Sequence, residues 1–272
     1  MFTDAHCHPF DLNRALNGAE EERRRLGIVC AASATDMEEF AYNEELARMA
    51  KAENAPPLLP CFAVHPQLPA SRRGADTDRK AQDGLALLES LAREGRLAAV
   101  GETGFDLFNG TFRETEAIQD ELFAAHLETA LRHGLPLVLH VRKAMHKVFA
   151  RARSLAKCKT VIFHSWPGTA GEGQALLRRG VNAFFSFGAA ILLNHRETMR
   201  CCAVFSPSRI LSETDAPYQP LRGRKYSSWE DLPRVLEAAA ALRRNAGAAA
   251  SSVEELETAV ETNFRAAFGR LE

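Results

Sequence analysis

Phe2-Thr3-Asp4-Ala5-His6-Cys7-His8-Pro9 opens the chain, and its reading decides the fold. Phe2 to Ala5 reads as a short strand. His6 and His8 close it, and Pro9 predicts a stop, because proline cannot donate to a ladder. Side chains alternate across a strand, so residues two apart face the same way. The two imidazoles therefore share one side, enough to hold one face of a metal ion, while Cys7 turns away and packs. The same motif would also suit two surface histidines beside a turn. What decides between them is whether other strands bring matching donors.

Apolar runs of strand length recur at 27–33, 58–64, 97–102, 137–140, 160–164, 181–187 and 209–215. Helical stretches lie between them. Thr35 and Asp36 are cap candidates for a helix over 37–52. Leu85, Leu88 and Leu91 form one face of another, stopped by Gly95. A long helix carries Ile118, Leu122, Ala125 and Thr129 in a stripe and ends at Gly134 and Pro136. Further helices are predicted over 144–156, 173–179, 229–244 and 252–268, the last opened by a Ser252/Glu255 capping box. Residues 71–78 read as a polar loop.

Eight such runs with helices between them predict a (β/α)8 barrel, a single domain over residues 1–272. The runs are apolar throughout, as parallel strands buried on both faces require. An open doubly wound sheet is the alternative, and no glycine-rich dinucleotide loop follows the first run to support its Rossmann form.

The polar residues then fall into place. His6 and His8 end run one and His65 ends run three. Glu102, His140, His164 and Asp215 end runs four, five, six and eight. All lie at carboxyl ends, the face on which barrel active sites are built. Four of these histidines (His6, His8, His140 and His164) and the two carboxylates, gathered there, need cations, and with two divalent metals they become ligands, Glu102 bridging. The imidazole-rich set suits zinc, manganese or cobalt. His65 leaves two readings open: a metal or substrate contact, or a turn histidine supporting a ligand from behind. His126, His133, His146 and His195 read as structural or surface residues.

A net charge of −1 and a pI near 6.8 exclude a generally polyanion-binding protein, so any nucleic-acid contact must be a local basic patch. Arg142 and Lys143 after run five, and Arg222, Arg224 and Lys225 after run eight, are the candidates to grip phosphates. Phe105, Phe108, Trp166 and Tyr218 are candidates to stack unpaired bases. The six cysteines lack a C-x-x-C pair and read as reduced, buried thiols. With no signal-peptide pattern or membrane-length apolar stretch, a cytoplasmic monomer that does not engage membranes is expected.

At these residues the chain closely resembles the TatD-type metal-dependent deoxyribonuclease family. The matching segments are Asp4-Ala5-His6-Cys7-His8, Val64-His65-Pro66 and Gly101-Glu102-Thr103-Gly104-Phe105-Asp106. Further along are Leu135 to Ala144, Phe163-His164-Ser165-Trp166-Pro167-Gly168 and Glu213-Thr214-Asp215-Ala216-Pro217-Tyr218. The resemblance implies a barrel phosphodiesterase of the amidohydrolase-like kind with two divalent ions, magnesium, manganese or zinc. It places His6, His8, Glu102 and Asp215 at one metal and Glu102, His140 and His164 at the other. It implies magnesium-dependent, exonucleolytic cleavage of DNA, with single-stranded ends the expected substrate. The chain departs from the family's usual cysteine-phenylalanine at Ser165-Trp166 and from its usual aspartate at Lys143. These changes bear on substrate preference.

Two ions a few ångströms apart hold a water, lower its pKa and polarise a phosphoryl oxygen. Asp215, a ligand with one oxygen left over, is the expected proton acceptor, so Asp215 and Glu102 form the expected catalytic pair. Two rivals remain. One is a hydrolase of a small ester, amide or phosphate ester on the same scaffold, although such barrels often bridge their metals with a lysine where this chain has Glu102. The other is a non-catalytic binding protein, against which the complete ligand set weighs.

Overall fold

A computed structural model describes residues 1–71 and 75–269. Eight strands form one parallel sheet in sequence order: β1 (Thr3–Cys7), β2 (Val29–Ala34), β3 (Leu58–Phe62), β4 (Ala99–Asp106), β5 (Leu137–Arg142), β6 (Val161–Phe163), β7 (Ala183–Phe187) and β8 (Ile210–Ser212). The barrel closes between β8 and β1 through the residues just past β8. Asp215 N–H donates to the His6 carbonyl at 3.0 Å, and His8 N–H to the Ala216 carbonyl at 2.8 Å. Asp4 stitches the same seam: its carboxylate accepts from Thr214 N–H at 3.1 Å and from the Thr214 hydroxyl at 2.6 Å. The barrel predicted from the apolar runs is thus the observed fold.

All eight strands feed one inner cluster, which includes Ala5, Ala31, Cys61, Ala99, Val138, Ile162, Phe184 and Leu211. Phe264 and Phe268 of the last helix plug it. Small residues on β1, β2 and β4 share this layer with larger ones on β6 to β8, side chains filling the barrel interior as the fold requires. A second, larger cluster seats the helices against the outside of the sheet. All six cysteines are buried and free, and Cys7 joins the outer packing beside β2, donating to the Ala31 carbonyl. No helix among the described residues is long and apolar enough to cross a membrane.

The caps behave as their chemistry dictates. The helix Met37–Ala52 is capped by Asp36, which accepts from Glu38 and Glu39 N–H at 2.9 and 3.0 Å. Val253–Phe268 has the Ser252/Glu255 box. Two helices add to the expected elements, and one expected loop is shorter. Pro9 starts a helix, Pro9–Ala15, because at the first helical position its missing N–H has no partner to lose. The segment around Glu20 to Arg25 is also helical (Ala19–Leu26), with acids in its first turn and bases in its last, as the helix dipole favours. In the loop expected over 71–78, helices Leu68–Ser71 and Ala75–Arg93 reach into both ends, and residues 72–74 lie outside the described residues.

His126 illustrates a structural histidine. It sits fully buried in the helix Glu116–His133. Its Nδ1–H donates to the Leu122 carbonyl, and its Nε2 accepts from Val64 N–H at 2.9 Å, anchoring the segment that carries His65. Burial pushes its pKa down to about 4. An unfolded histidine binds its proton near pH 6.5, so the fold holds fewer protons than the unfolded chain below that pH. His126 therefore contributes full stability above pH 6.5, and about 3 kcal/mol of it is lost as pH falls to about 4. Urea unfolding of the wild type and His126→Gln should show a stability difference that shrinks across this window. A difference that stays constant would mean that His126 titrates normally.

Candidate metal centre

The site is built by bulges as much as by strand ends. Along β1, Asp4 pairs with Cys30 but Cys7 with Ala32, so β1 carries one extra residue around His6. Along β4, Val100 pairs with Leu137 but Thr103 with Leu139, which puts the extra residue at Gly101-Glu102. A bulge re-aims the side chain it contains. Glu102 was expected at the end of its strand; it lies in the middle of β4, and the bulge is what turns it into the barrel mouth. The flanking glycines follow from the crowding. A Cβ on Gly101 would stand 2.5 Å from Val138 Cβ, and one on Gly104 2.1 Å from the His140 carbonyl oxygen.

Glu102 is the hub. Its Oε1 lies 2.6 Å from His140 Nδ1 and 3.0 Å from His164 Nε2. Its Oε2 lies 3.2 Å from His6 Nε2, 3.5 Å from His65 Nε2 and 3.8 Å from His8 Nε2. Asp215 Oδ1 completes the cluster, 3.5 Å from His6 Nε2 and 3.6 Å from His8 Nε2. The structure thus brings His6, His8, His65, Glu102, His140, His164 and Asp215 together, and all but half-buried His65 are buried.

Most of these imidazoles point one nitrogen at the centre and the other at a fixed partner. His6 Nδ1 meets the Ser33 hydroxyl at 3.2 Å. His140 Nε2 meets Asp106 at 3.1 Å. His164 Nδ1 faces Glu213 at 3.3 Å. Such partners orient ligating histidines and raise their basicity. His65 is different: Gln67 N–H donates to its Nδ1 at 3.2 Å, so its Nε2 carries the proton. In that tautomer His65 donates a hydrogen bond towards Glu102 rather than offering a lone pair to a cation.

The electrostatics follow. Burial would raise the Glu102 carboxyl, but His164, His6, His65 and His140 outweigh it and hold it well below the usual carboxylate range. Burial lowers His6 and His65. It also opposes charge on His164, yet Glu102 and Glu213 hold that imidazole well above its ordinary value. Asp106, against the same opposition, is held down to about 2, chiefly by its bond from His140.

Ligand atoms of three sets lie within 4.8 Å of one another: His6, His8 and Glu102; His6, His164 and Asp215; His65, Glu102 and His140. Among the described residues, every ion-pair partner of Glu102 and Asp215 is an imidazole. Buried carboxylates whose ion-pair partners are all imidazoles, with no lysine or arginine to neutralise them, are a donor set that fits divalent cations.

Several rim residues read differently in the structure. Arg224 is a packing residue: it donates to the buried Asp231 carboxylate at 2.6 Å and to Ser228 at 3.3 Å. A buried acid nearby claims a cation that its position in the loop left free. Arg222 and Lys225 are exposed around Gly223. Arg142 stands at the end of β5, its guanidinium 3.4 Å from Asp106. Phe105 is buried against Phe123, and Trp166 against Phe163 and Phe185, so neither can stack a base. Phe108 and Tyr218 are about half exposed.

Asp106, Glu213 and Gln219 drew no role from the sequence. Glu213 is fully buried and accepts from Ser165 N–H at 2.8 Å and the Ser165 hydroxyl at 2.6 Å. The amide of Gln219 donates to both Ser165 Oγ and Asp215 Oδ2, at 2.8 and 2.6 Å. Ser165, the departure noted above, is therefore the link between Glu213 and the outer oxygen of Asp215. Two of the three had a signal: Asp106 closes the Gly101-to-Asp106 motif, and Glu213 precedes Asp215 by two.

The chain is similar to known proteins over most of its length. An uncharacterized metal-dependent hydrolase TatD of Mycobacterium tuberculosis is 30% identical over 274 residues, covering 98% of this chain and 97% of that one. A 3'-5' ssDNA/RNA exonuclease TatD of Cronobacter sakazakii is 31% identical over 167 residues, 58% of this chain and 62% of that one. The crystal structure of YjjV, a TatD homologue from Escherichia coli K12, superposes with a TM-score of 0.80 at 25% identity, covering 99% of this chain and 98% of that one. The model of the TatD related DNase family matches residues 3–269. A barrel whose mouth gathers buried imidazoles around one carboxylate, matched over nearly its whole length by that family, belongs to the TatD related DNases and is a metal-dependent hydrolase acting on ester bonds.

Proposed function

We infer that this hydrolase is a phosphodiesterase that shortens DNA from single-stranded ends, using two divalent cations held by His6, His8, Glu102, His140, His164 and Asp215. The observation that carries this reading is the division of Glu102: one oxygen serves His140 and His164, the other His6, His8 and His65. A carboxylate shared between two imidazole groups is suited to bridging two ions. Divalent ions there would supply Lewis acidity and lower the pKa of a water.

The chain's own residues do the rest. Glu102 stays anionic across the neutral range. Asp215 keeps Oδ1 towards His6 and His8, while Gln219 holds Oδ2, so the carboxylate is aimed for proton transfer with water at the centre. His65 is placed to donate its Nε2–H to a phosphoryl oxygen. Arg142, Arg222 and Lys225 are the accessible cations for flanking phosphates. The exonuclease-named relative supports nucleic acid as the substrate class.

Metal-stripped protein refilled with magnesium, manganese or zinc should shorten end-labelled single-stranded DNA stepwise, and the label's position gives the direction. RNA of the same sequence runs beside it. Metal bound tightly without any strand shortening would end the nuclease reading and turn the search to small esters.

A further inference from the structure

β4 and β5 end in register, with Asp106 opposite Arg142. Leu107 N–H then donates to the Arg142 carbonyl at 2.8 Å, holding the two rims together one residue further. Phe108 N–H donates to Asp106 Oδ1 at 2.9 Å, which turns the chain and leaves Phe108 51% exposed. Phe105, three residues earlier, is fully buried, so this rim had the means to bury an aromatic and leaves Phe108 in water.

The Arg142 guanidinium lies 4.2 Å from the Phe108 ring centroid. Its Nη1 also reaches Asp106 Oδ2, at 3.4 Å. That oxygen accepts two shorter bonds, from Gln67 at 2.7 Å and from His140 at 3.1 Å. Asp106 therefore gives up Arg142 at little loss. Arg142 can keep its stack on Phe108 while its other N–H groups turn to a ligand. Guanidinium forks match phosphate oxygens, and a phenyl face stacks a base. Asp106 joins this pair to His140, and His140 joins it to Glu102, so the pair lies beside the metal centre. Tyr218, the other half-exposed ring, is already engaged: its hydroxyl donates to Asp11 at 2.7 Å, and its ring meets His8 edge-on.

We propose that Phe108 and Arg142 form a subsite for one nucleotide of a single-stranded nucleic acid, Phe108 stacking the base and Arg142 gripping its phosphate. This rests on the nucleic-acid reading above and adds where the strand lies, across the β4–β5 rim. The stack needs an unpaired base and reads none of its edges, so it selects single strands without sequence preference.

The test is a titration of the calcium-loaded protein with oligonucleotides carrying one 2-aminopurine at each of the three terminal positions of either end. The wild type should quench the fluorophore at one position. Phe108→Leu should lose the quench and bind about tenfold more weakly, and Phe108→Trp should keep both. Arg142→Gln should lower the slope of log Kd against log salt by about 0.7, one phosphate's share, while Phe108→Leu leaves that slope alone. If Phe108→Leu matches the wild type in quench and affinity while the strand is still shortened in magnesium, the subsite is overturned and the nuclease reading survives. If the wild type quenches through Phe108 but shortens nothing in any metal, the subsite stands and the nuclease reading falls.

Discussion

Glu102→Gln is expected to lower hydrolytic turnover by about a thousandfold while leaving the barrel folded. The magnitude is that of removing one preorganised electrostatic group from a water-poor site. Glutamine keeps the volume, so the Gly101–Gly104 bulge can accept it without repacking. What changes is the hub. One oxygen becomes an NH2 donor, and it must face either His140 and His164 or His6 and His65, where the carboxylate offered acceptors at 2.6 to 3.5 Å. An amide with a single acceptor cannot serve two imidazole groups together, and it is neutral, so the buried charge that would balance cations is gone. Metal analysis of desalted protein should accordingly fall below the wild-type content. Thermal unfolding should remain cooperative, which separates this loss from a folding defect. Wild-type metal content together with turnover within tenfold of wild type would remove Glu102 from the centre of the mechanism.

The barrel and most of this cluster were legible because they depend on local pattern. Eight continuously apolar runs can be buried only between helices, and a histidine or acid at the carboxyl end of such a run has one place to go. What escaped depends on partners distant in sequence. The sequence places Glu102 in the cluster but at a strand end, because a bulge shows only when β4 is paired against β5. Loop position alone leaves Arg224 a free cation, but Asp231, seven residues on, is buried beside it. Sequence position groups Phe105 and Trp166 with Phe108 and Tyr218 as rim aromatics, yet which ring faces water is decided by packing behind the strands. His65 stayed open for the same reason: the backbone N–H of Gln67 sets its tautomer, and no spacing rule records that bond.

Gly104→Ala is expected to have the largest effect on stability, at least about 4 kcal/mol, because it adds backbone strain to a steric clash in a core strand. Gly104 has φ +138°, a conformation that side-chain-bearing residues rarely adopt. The new Cβ would sit 2.1 Å from the His140 carbonyl oxygen, a backbone atom that cannot swing aside as a side chain would. Relief requires β4 to separate from β5, and those strands carry Glu102, Asp106, His140 and Arg142. Stability and metal retention should therefore fall together. Gly134→Ala is the matched control. Gly134 also has positive φ, +63°, but it caps the helix Glu116–His133 and its Cβ would meet nothing within 4 Å. That variant should lose only about 1–2 kcal/mol, the ordinary penalty for left-handed backbone, and keep its metal. Urea unfolding of both variants makes the comparison. Equal losses would mean that φ alone sets the demand for glycine at 104, and that the contact with the His140 backbone does not hold β4 and β5 in register.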